Sequence, residues 1–387
     1  MPKQKRKEED KMKTQSIRTD ETEVRDASRN RRRPFFLACA LAFVLSCVNM
    51  RIEAATVQVP NIAALESLST NYDGDLAFVE GYYTTGDRGG GWFKFLTNNT
   101  ATPDWGIYIP RSTPGGRWLR LLNGETPNII MWGARKNVGD STTNIQNAVN
   151  AWGHQLDGNG SGDFSELLFP LGTFNITNTI VFNSILHLRG EGSPSSTTII
   201  LTGNTNAFET KTANDLLHGG LNNSFYGYDH GLLVEGFTVR LETNNTSGAG
   251  LVIRNPGEGN TIRNMGFAYG GYGIRCLSAG APGLRLMNVG ISEHYVAGVS
   301  IEGYLPADSA NYIGSGGGQV IISGLSGDHS RADSNATASF LRIWRCYAGI
   351  SFRDFKAEGQ WGGGIVNYRY YGDPLVGELI IEGGTYN

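Results

Sequence analysis

The chain has 387 residues, of which 53 are Gly, 40% are hydrophobic and only 18% are charged. This composition excludes coiled coils and helical bundles, and it supplies enough apolar residues for a folded core. Residues 1–33 carry 12 Lys and Arg against 7 Asp and Glu, whereas residues 54–387 carry 20 against 28. We expect no nucleic-acid partner for this acidic body, because phosphate binding needs clustered Lys and Arg.

The N-terminus has the order of a secretory signal. Three arginines at 31–33 precede an apolar run at 35–48, and small residues follow at 54–55. The run is shorter than the roughly 20 residues that span a bilayer. It predicts a cleaved signal peptide and a secreted or cell-surface protein whose only membrane contact is its leader. A start at Met12, an uncleaved anchor and a lipid at Cys47 are the alternatives.

Residues 56–124 follow the leader (residues 1–55) and predict a small, β-rich front module. A helical spacing of apolar residues ends at Leu68. Gly-rich turns separate four strand-like runs, at residues 77–79, 92–95, 106–109 and 118–122. The glycine run 86–91 lacks the Gly-Lys-Ser/Thr ending of a phosphate loop and lies between strands, so it predicts a hairpin loop.

The next segment predicts a buried strand and then an amphipathic helix. Residues 129–132 form a continuous apolar run, which is typical of a buried strand. Asp140-Ser141 resembles an N-cap, and the apolar residues from Ile145 to Trp152 are spaced as on one helix face. We expect a helix over 142–152 that caps the fold of the C-terminal region.

From about residue 167 onwards, short apolar motifs that end in Gly or Asn recur. Their central positions are Val234, Ile262, Leu286, Ile322, Ile343 and Ile381. The intervals fit a unit of 21–24 residues with variable insertions. Three short strands per coil, stacked as a solenoid, require such a period. An irregular β-sandwich is the alternative, because its turns are hard to distinguish locally.

Three motifs between residues 132 and 174 resemble the pectate-lyase-like superfamily of right-handed parallel β-helices, which includes rhamnogalacturonase-like and epimerase-like proteins. They are Trp132-Gly133-Ala134, Ile145-Gln146-Asn147-Ala148 and Pro170-Leu171-Gly172-Thr173-Phe174. The front module resembles the segment that precedes such β-helices in phage tail spikes and bacterial surface proteins. The resemblance implies an all-β fold, with a parallel β-helix over 125–387 and an N-terminal capping helix. The chain departs from the pattern at residues 136–138, where the family has Gly-Asp-Gly.

The resemblance also implies work on polysaccharides. The expectation is an exported protein that binds and cleaves or modifies a polysaccharide, as a lyase or glycoside hydrolase, in a groove along the β-helix. A non-catalytic surface or adhesion protein and a phage tail-spike-like protein are the alternatives. A lyase would use calcium, although no Asp cluster marks a site. The last coil is unfinished at 377–387, which predicts either a truncated sequence or a homo-oligomer whose neighbouring subunit covers it.

The candidate functional residues are ionisable or aromatic and follow strands or lie on Gly-rich loops. The catalytic candidates are Asp229, His230, Glu293, His294, Asp328 and Asp354. The substrate-binding candidates are Tyr226, Tyr228, Glu358 and Trp361. A His beside a carboxylate is suited to acid–base chemistry, and aromatic rings can stack on sugars. Each of these residues also fits a solvated loop.

Two further expectations concern the body as a whole. The insertions 204–231, 302–319 and 354–377 are expected to form the walls of the groove. Cys276 and Cys346 should lie three strand steps apart, about 14 Å at the usual strand spacing, which exceeds the reach of a disulfide. Both are expected to be unbridged core residues.

Overall fold

The computed structural model describes residues 56–69, 72–113, 115–152, 165–183, 186–211, 231–254, 259–277, 283–303, 319–329, 338–344, 346, 349–359, 361–368 and 378–386. The leader and the four candidates Tyr226, Tyr228, Asp229 and His230 lie outside these ranges, as do most of the predicted groove insertions 204–231 and 302–319 and residues 369–377 of the third. Among the helices of the described residues, none has the length and apolar character needed to cross a bilayer.

The front module is a five-stranded sheet with a short helix. Its elements are β1 (Thr56–Val59), α1 (Ile62–Glu66), β2 (Leu76–Val79), β3 (Gly91–Leu96), β4 (Tyr108–Ile109) and β5 (Arg117–Leu121). The strand order is β1-β2-β3-β5-β4, and only the β1–β2 pair is parallel. Phe93, Phe95 and Trp118 fill a core that belongs to this sheet. The predicted strands and the hairpin between β2 and β3 are thus confirmed.

Arg120 joins the front module to the segment around Met131. Its side chain is 4% exposed, and it donates to the carbonyl oxygens of Gly89 and Gly106 at 2.9 and 2.7 Å. The same guanidinium reaches the carbonyl of Met131 at 3.4 Å and lies over the ring of Phe93. One buried cation therefore holds backbone from both parts of the chain.

The predicted strand over residues 129–132 is wrong, since these residues form a 3₁₀ helix, Ile129–Trp132. The Asn128 side chain accepts the N–H of Ile130 at 3.0 Å, and Gly133 ends the helix in the left-handed region at φ 86°. All four residues are buried, so the apolar run does predict burial. The amphipathic helix is confirmed as α2 (Thr142–Trp152), and its apolar face packs into the core of the first coil.

The remaining strands form three parallel sheets. The first sheet contains β6 (Ser165–Phe169), β9 (Leu186–Gly190), β12 (Leu233–Glu235), β15 (Asn260–Ala268), β17 (Gly283–Ser292), β19 (Gln319–Ser323), β22 (Gly349–Arg353) and β25 (Leu379–Glu382). The second contains β7 (Gly172–Ile176), β10 (Thr197–Leu201), β13 (Thr238–Leu241), the second halves of β15 and β17, β20 (Ser326–His329), β23 (Lys356–Gly359) and β26 (Thr385–Tyr386). The third contains β8 (Ile180–Asn183), β11 (Phe208–Lys211), β14 (Ala249–Arg254), β16 (Tyr272–Leu277), β18 (Ala297–Glu302), β21 (Ser339–Trp344) and β24 (Gly363–Tyr368). A second 3₁₀ helix, Pro194–Ser196, precedes β10.

The three sheets wind into the predicted parallel β-helix, with the right-handed crossover that parallel strands adopt. Equivalent inward residues stack in register. On the first sheet this stack consists of Leu188, Val234, Ile262, Leu286, Ile322, Phe352 and Ile381. Ile343 does not belong to it, because it lies on the third sheet opposite Ile301. Each coil contributes inward residues to every sheet, so the sequence period does not distinguish one sheet from another.

A corner of left-handed residues turns each later coil from the first sheet into the second. The corner residues, whose φ lies between 51° and 80°, are Gly236, Asn264, Asn288, Gly324, Asp354 and Gly383. Gly tolerates this conformation freely, and Asn does so better than other residues with side chains. Asn288 Nδ2 donates to Asn264 Oδ1 at 3.3 Å, which links two successive corners. The repeated corner keeps the residues of both sheets in straight columns.

A continuous apolar core runs through the coils. Phe169 and Phe237 stack at 5.1 Å between ring centroids, and Phe208 packs against both. Neither Cys276 nor Cys346 forms a disulfide bond, and both are fully buried in this core. Burial raises the pKa of the Cys276 thiol, so it remains protonated. The prediction that both cysteines are core residues is confirmed.

Candidate functional site

The outward face of the second sheet carries two columns of mostly small side chains. The first column consists of Thr238, Gly266, Gly290, Ser326 and Lys356. The second consists of Arg240, Ala268, Ser292, Asp328 and Glu358. Between Thr238 and Glu358 these columns line a concave surface of about 480 Å³, which we call the trough.

The trough is open at Gly290, whereas the Thr238 side chain lies close to the neighbouring Gly266. Outward residues of successive coils lie only about 4.8 Å apart, so ordinary side chains would cover this face. At Gly290 an added Cβ would approach only the main-chain oxygen of Met265, at 3.9 Å. No neighbouring group has therefore moved in to fill the opening at that coil.

One end of the trough is acidic. Asp328 and Glu358 are in register on adjacent coils, and the Asp328 side chain is exposed. Lys356 Nζ lies 2.8 Å from Glu358 Oε1, and the Glu358 side chain is 44% exposed. Glycoside hydrolases use two carboxyl groups separated by roughly 5 to 10 Å, a range that neighbouring coils can supply. The structure thus brings two of the predicted candidates together.

An arginine and an aromatic ring lie next to each other beside the trough, outside its lining. The guanidinium of Arg240 lies 5.0 Å from the ring centroid of Tyr269. Tyr269 adopts a left-handed φ of 61° directly after β15, which turns its side chain to the edge of the sheet. Such a pair presents hydrogen-bond donors beside an apolar surface, and sugars carry both hydroxyl groups and apolar faces.

Glu293 and His294 do not form the accessible acid–base pair that the sequence suggested. His294 is fully buried, and this burial lowers its pKa to about 4 in spite of opposing contributions from backbone groups at Tyr269, Phe267 and Gly270. Glu293 occupies a left-handed turn position, and its N–H donates to the carbonyl of Asp328 at 3.3 Å. The neutral, enclosed imidazole has no access to a substrate, so its placement does not fit the predicted catalytic role.

Trp361 is buried, whereas Asp354 is accessible at the surface. Trp361 is 6% exposed, because its ring packs against Phe340 at 5.4 Å and His329 at 4.9 Å. A ring inside the core cannot stack on a surface glycan, so this placement does not fit substrate binding. Asp354 is exposed at the left-handed corner, where its N–H donates to the carbonyl of Glu382 at 3.1 Å.

Sequence reasoning missed a charged ladder on the outward face of the first sheet. His187 lies between two carboxylates, 3.3 Å from Glu166 and 2.9 Å from Glu235. Arg189 pairs with Glu166 at 2.6 Å, and Arg263 pairs with Glu235. Burial alone would raise the pKa of Glu235, but hydrogen bonds from Arg263 and His187 outweigh it and lower that pKa. The available signal was the recurrence of charged residues at two outward positions of these strands, with Glu166 and His187 in one column and Arg189, Glu235 and Arg263 in the other.

The sequence assigns no metal ligands, and calcium is expected only for a lyase. Across the described ranges, no three His, Cys, Asp or Glu side chains converge as metal ligands. The ionisable groups of the trough are the candidates for acid–base chemistry.

Comparison with known proteins supports the architecture. Residues 58–123 match the family model of the phage tail protein small four-stranded β-sheet domain. The gp42 tailspike of Acinetobacter phage vb_AbaP_AS12 is similar to this chain with a TM-score of 0.53 and 14% identity. The match covers 86% of this chain and 63% of the tailspike, so this chain spans less than two thirds of that protein's length. The likeness shows the fold alone. No curated protein matches the sequence.

Two other solved structures match this chain with lower TM-scores than the gp42 tailspike. WceF of Pantoea stewartii, a glycan biofilm modifying enzyme with a tailspike-like parallel β-helix fold, has a TM-score of 0.43 and 16% identity over 82% of this chain and 49% of WceF. The Acinetobacter baumannii phage Fri1 tailspike gp49, a capsular polysaccharide depolymerase, has a TM-score of 0.34 and 13% identity over 85% of this chain and 71% of gp49. Scores this low carry no information on function. The predicted tail-spike resemblance is supported, whereas the pectate-lyase-like superfamily is not specifically shown.

Proposed function

We propose that this chain is a tailspike-like protein whose β-helix binds a polysaccharide along the trough. The observation that carries the proposal is the combination of two open outward columns with two adjacent carboxylates, Asp328 and Glu358. The front module's family match and the fold likeness to the gp42 tailspike support it. A linear glycan suits this surface, because the columns are straight and a β-helix is nearly one-dimensional.

We further propose that the acidic end of the trough hydrolyses glycosidic bonds. Glu358, which is paired with Lys356, supplies the carboxylate, and Asp328 on the adjacent coil supplies the proton. Asp328 protonates the glycosidic oxygen as its bond to the anomeric carbon breaks. Glu358 stabilises the positive charge on that carbon or bonds to it, and water completes the cleavage.

Binding without cleavage is the second candidate, and the exposure of the acidic end favours it. The side chains of Lys356 and Glu358 are 57% and 44% exposed, so water surrounds both. Catalytic carboxyl groups usually act in sites from which bound substrate excludes water. A glycan-binding surface has no such requirement.

The test separates binding from cleavage. A panel of neutral and acidic bacterial polysaccharides is assayed for binding and for the release of reducing ends. Gly290→Gln should weaken binding by at least about 10-fold, because its side chain occupies the trough without a backbone clash. Ser323→Gln, which adds a similar side chain to the outward face of the first sheet, is the matched control and should bind like the wild type.

Cleavage is tested with the double variant Asp328→Asn/Glu358→Gln, which should bind polysaccharide but release no reducing ends. Residual release by this variant would assign the chemistry to other residues. Binding by the wild type without any release would establish the second candidate. Unchanged binding by Gly290→Gln would exclude the trough as the binding site.

A further inference from the structure

A second concavity, of about 520 Å³, lies where the loop after β2 meets the first coil. We call it the junction cleft. Its lining includes Tyr83, Asp87, Arg88, Arg135, Lys136 and Leu171. It shares no lining residue with the trough, so the two surfaces are separate.

The carboxylates at this cleft are already engaged. Asp87 accepts backbone N–H groups from Tyr82, Tyr83, Thr84 and Gly89 at 2.8–3.0 Å. Burial acts to raise the pKa of Asp87, but these four hydrogen bonds outweigh it and lower that pKa. Glu191 accepts two hydrogen bonds from Arg88, at 2.6 and 3.1 Å, so the charge of Arg88 is compensated as well.

Arg135 and Lys136 are positioned but not neutralised. The guanidinium of Arg135 lies 4.0 Å from the ring centroid of Tyr83. The stem of Lys136 lies against Gly172, where an added Cβ would come within 2.3 Å of Lys136 Cε. Within the described part of the chain, neither cation forms an ion pair with a carboxylate. Two cations therefore face one cleft of a body in which acidic residues outnumber basic ones.

The rim of the cleft is apolar and accessible. Val138 is 57% exposed, Leu171 is 42% exposed, and the Tyr83 side chain is 39% exposed. Large apolar side chains at a concave, cationic surface suit a ligand with one apolar face and one negative charge. A pyranose ring that bears a carboxylate has both features, and its rigid ring loses little conformational entropy on binding.

We infer that the junction cleft binds a carboxylate-bearing sugar, such as a uronate unit of an acidic polysaccharide. Arg135 and Lys136 pair with the carboxylate, and the apolar rim contacts the face of the ring. The inference rests on the proposed function only in taking the ligand to be a glycan. It names the class of sugar and adds a contact point at the front of the β-helix.

The experiment compares charged ligands with uncharged ones of the same shape. Uronate oligosaccharides of several linkages and their methyl esters are titrated calorimetrically into the full chain. The wild type should bind at least one acid about 10-fold more tightly than its ester. Arg135→Gln/Lys136→Gln should abolish this preference and leave ester binding unchanged. Lys94→Gln, which removes a cation outside the cleft, should keep it.

Three results would overturn the inference. They are the absence of any acid that binds better than its ester, a preference that survives Arg135→Gln/Lys136→Gln, and equal binding of hexaglutamate, which would indicate an acidic peptide. Gly290→Gln keeps the two proposals apart. An acid preference that persists in Gly290→Gln, with polysaccharide binding unaffected, would count against the trough and not against the cleft.

Discussion

The outward faces of the first and second sheets are built on the same coils and differ in what their side chains do. On the first sheet, Glu166, His187 and Glu235 form a chain of contacts that two arginines extend. On the second sheet, Gly266 and Gly290 leave a shallow trough with carboxylates at one end. One face satisfies its own polar groups, and the other leaves room for a ligand.

This difference shows how stacked coils separate stability from binding. A residue that repeats in register can pair with its equivalents above and below, as the charged ladder does. Perturbed pKa values often mark functional sites, but ion-pair networks perturb them too. Here the lowered pKa of Glu235 belongs to the face that is closed by its own contacts. The open face is identified by its concave shape and by the glycines that place no side chain on it.

The two faces share one core, so a substitution in that core should have the largest effect on the free energy of unfolding. Phe237 is fully buried and stacks on Phe169. Phe237→Ala should lower the free energy of unfolding by about 3–5 kcal/mol through lost burial and a cavity. Denaturant unfolding, followed by circular dichroism and by tryptophan fluorescence, should shift equally in both signals. A shift in only one would mean that the β-helix is not a single cooperative unit.

A buried imidazole beside the trough should make stability depend on pH. The folded pKa of His294 is about 4 and the unfolded value is about 6.5, so only the unfolded chain takes up the proton between them. Stability is therefore complete above pH 6.5 and falls by about 3 kcal/mol as the pH drops to 4. His294→Gln should flatten this slope. Titration of the His294 ring in NMR spectra near its ordinary value would refute the explanation.

The charged ladder should affect stability in a lower pH range than His294 does. Glu235→Gln should cost about 1–3 kcal/mol at neutral pH, because it weakens hydrogen bonds from Arg263 and His187. The folded pKa of Glu235 is depressed, so its contribution is present above its unfolded value and disappears as the pH falls through the folded one. Urea titrations between pH 3 and 6 should show a smaller acid dependence for the variant. Identical acid dependence in both proteins would mean that the ladder adds no stability.

The corner between the two faces should respond to backbone strain. Asn288 adopts a φ of 52° and donates to Asn264. Asn288→Ala should lower the free energy of unfolding by about 1–2 kcal/mol, since Ala disfavours this region. Asn288→Gly keeps the conformation and should recover most of that loss, which thermal melting can measure. Equal losses in both variants would assign the effect to the side-chain hydrogen bond.

Substitutions in the trough should have the smallest effect on the free energy of unfolding. The side chains of Asp328 and Ser292 lie on the outward face of the sheet and the substitutions leave their backbone contacts in place, so Asp328→Asn and Ser292→Ala should change the free energy of unfolding by less than about 0.5 kcal/mol. Both variants can be compared with Glu235→Gln in the same denaturant series. If either variant lost more free energy of unfolding than Glu235→Gln, the trough and not the charged ladder would be the face that stabilises the fold.

The sequence predicted the β-helix because its core residues repeat with a recognisable period. It also predicted α2, whose apolar spacing is a local signal. It failed at residues 129–132, where the Asn128 cap and Gly133 select a 3₁₀ turn over a strand. The misplacement of Ile343 had another cause, since inward residues of different sheets look alike in one dimension.

The site was predicted only in part, because register between coils is a long-range property. Asp328 and Glu358 were named separately, and nothing local indicated that they are neighbours across two strands. His294 and Trp361 were misjudged as accessible because each lies two residues beyond the end of a strand, where a loop residue and a core residue have the same pattern. The trough itself depends on which glycines face outward, and that requires the exact register.

The buried guanidinium of Arg120 gives the molecule a mechanical property. It donates hydrogen bonds to carbonyl oxygens of the front module and of Met131 at the first coil. Arg88 donates to the Glu191 carboxylate across the same boundary. These directional contacts resist twisting as well as separation, because guanidinium and carbonyl groups lose their hydrogen bonds on rotation. A torque applied to the front module would therefore pass directly into the stacked coils. The orientation of the front module and that of the trough are therefore mechanically coupled.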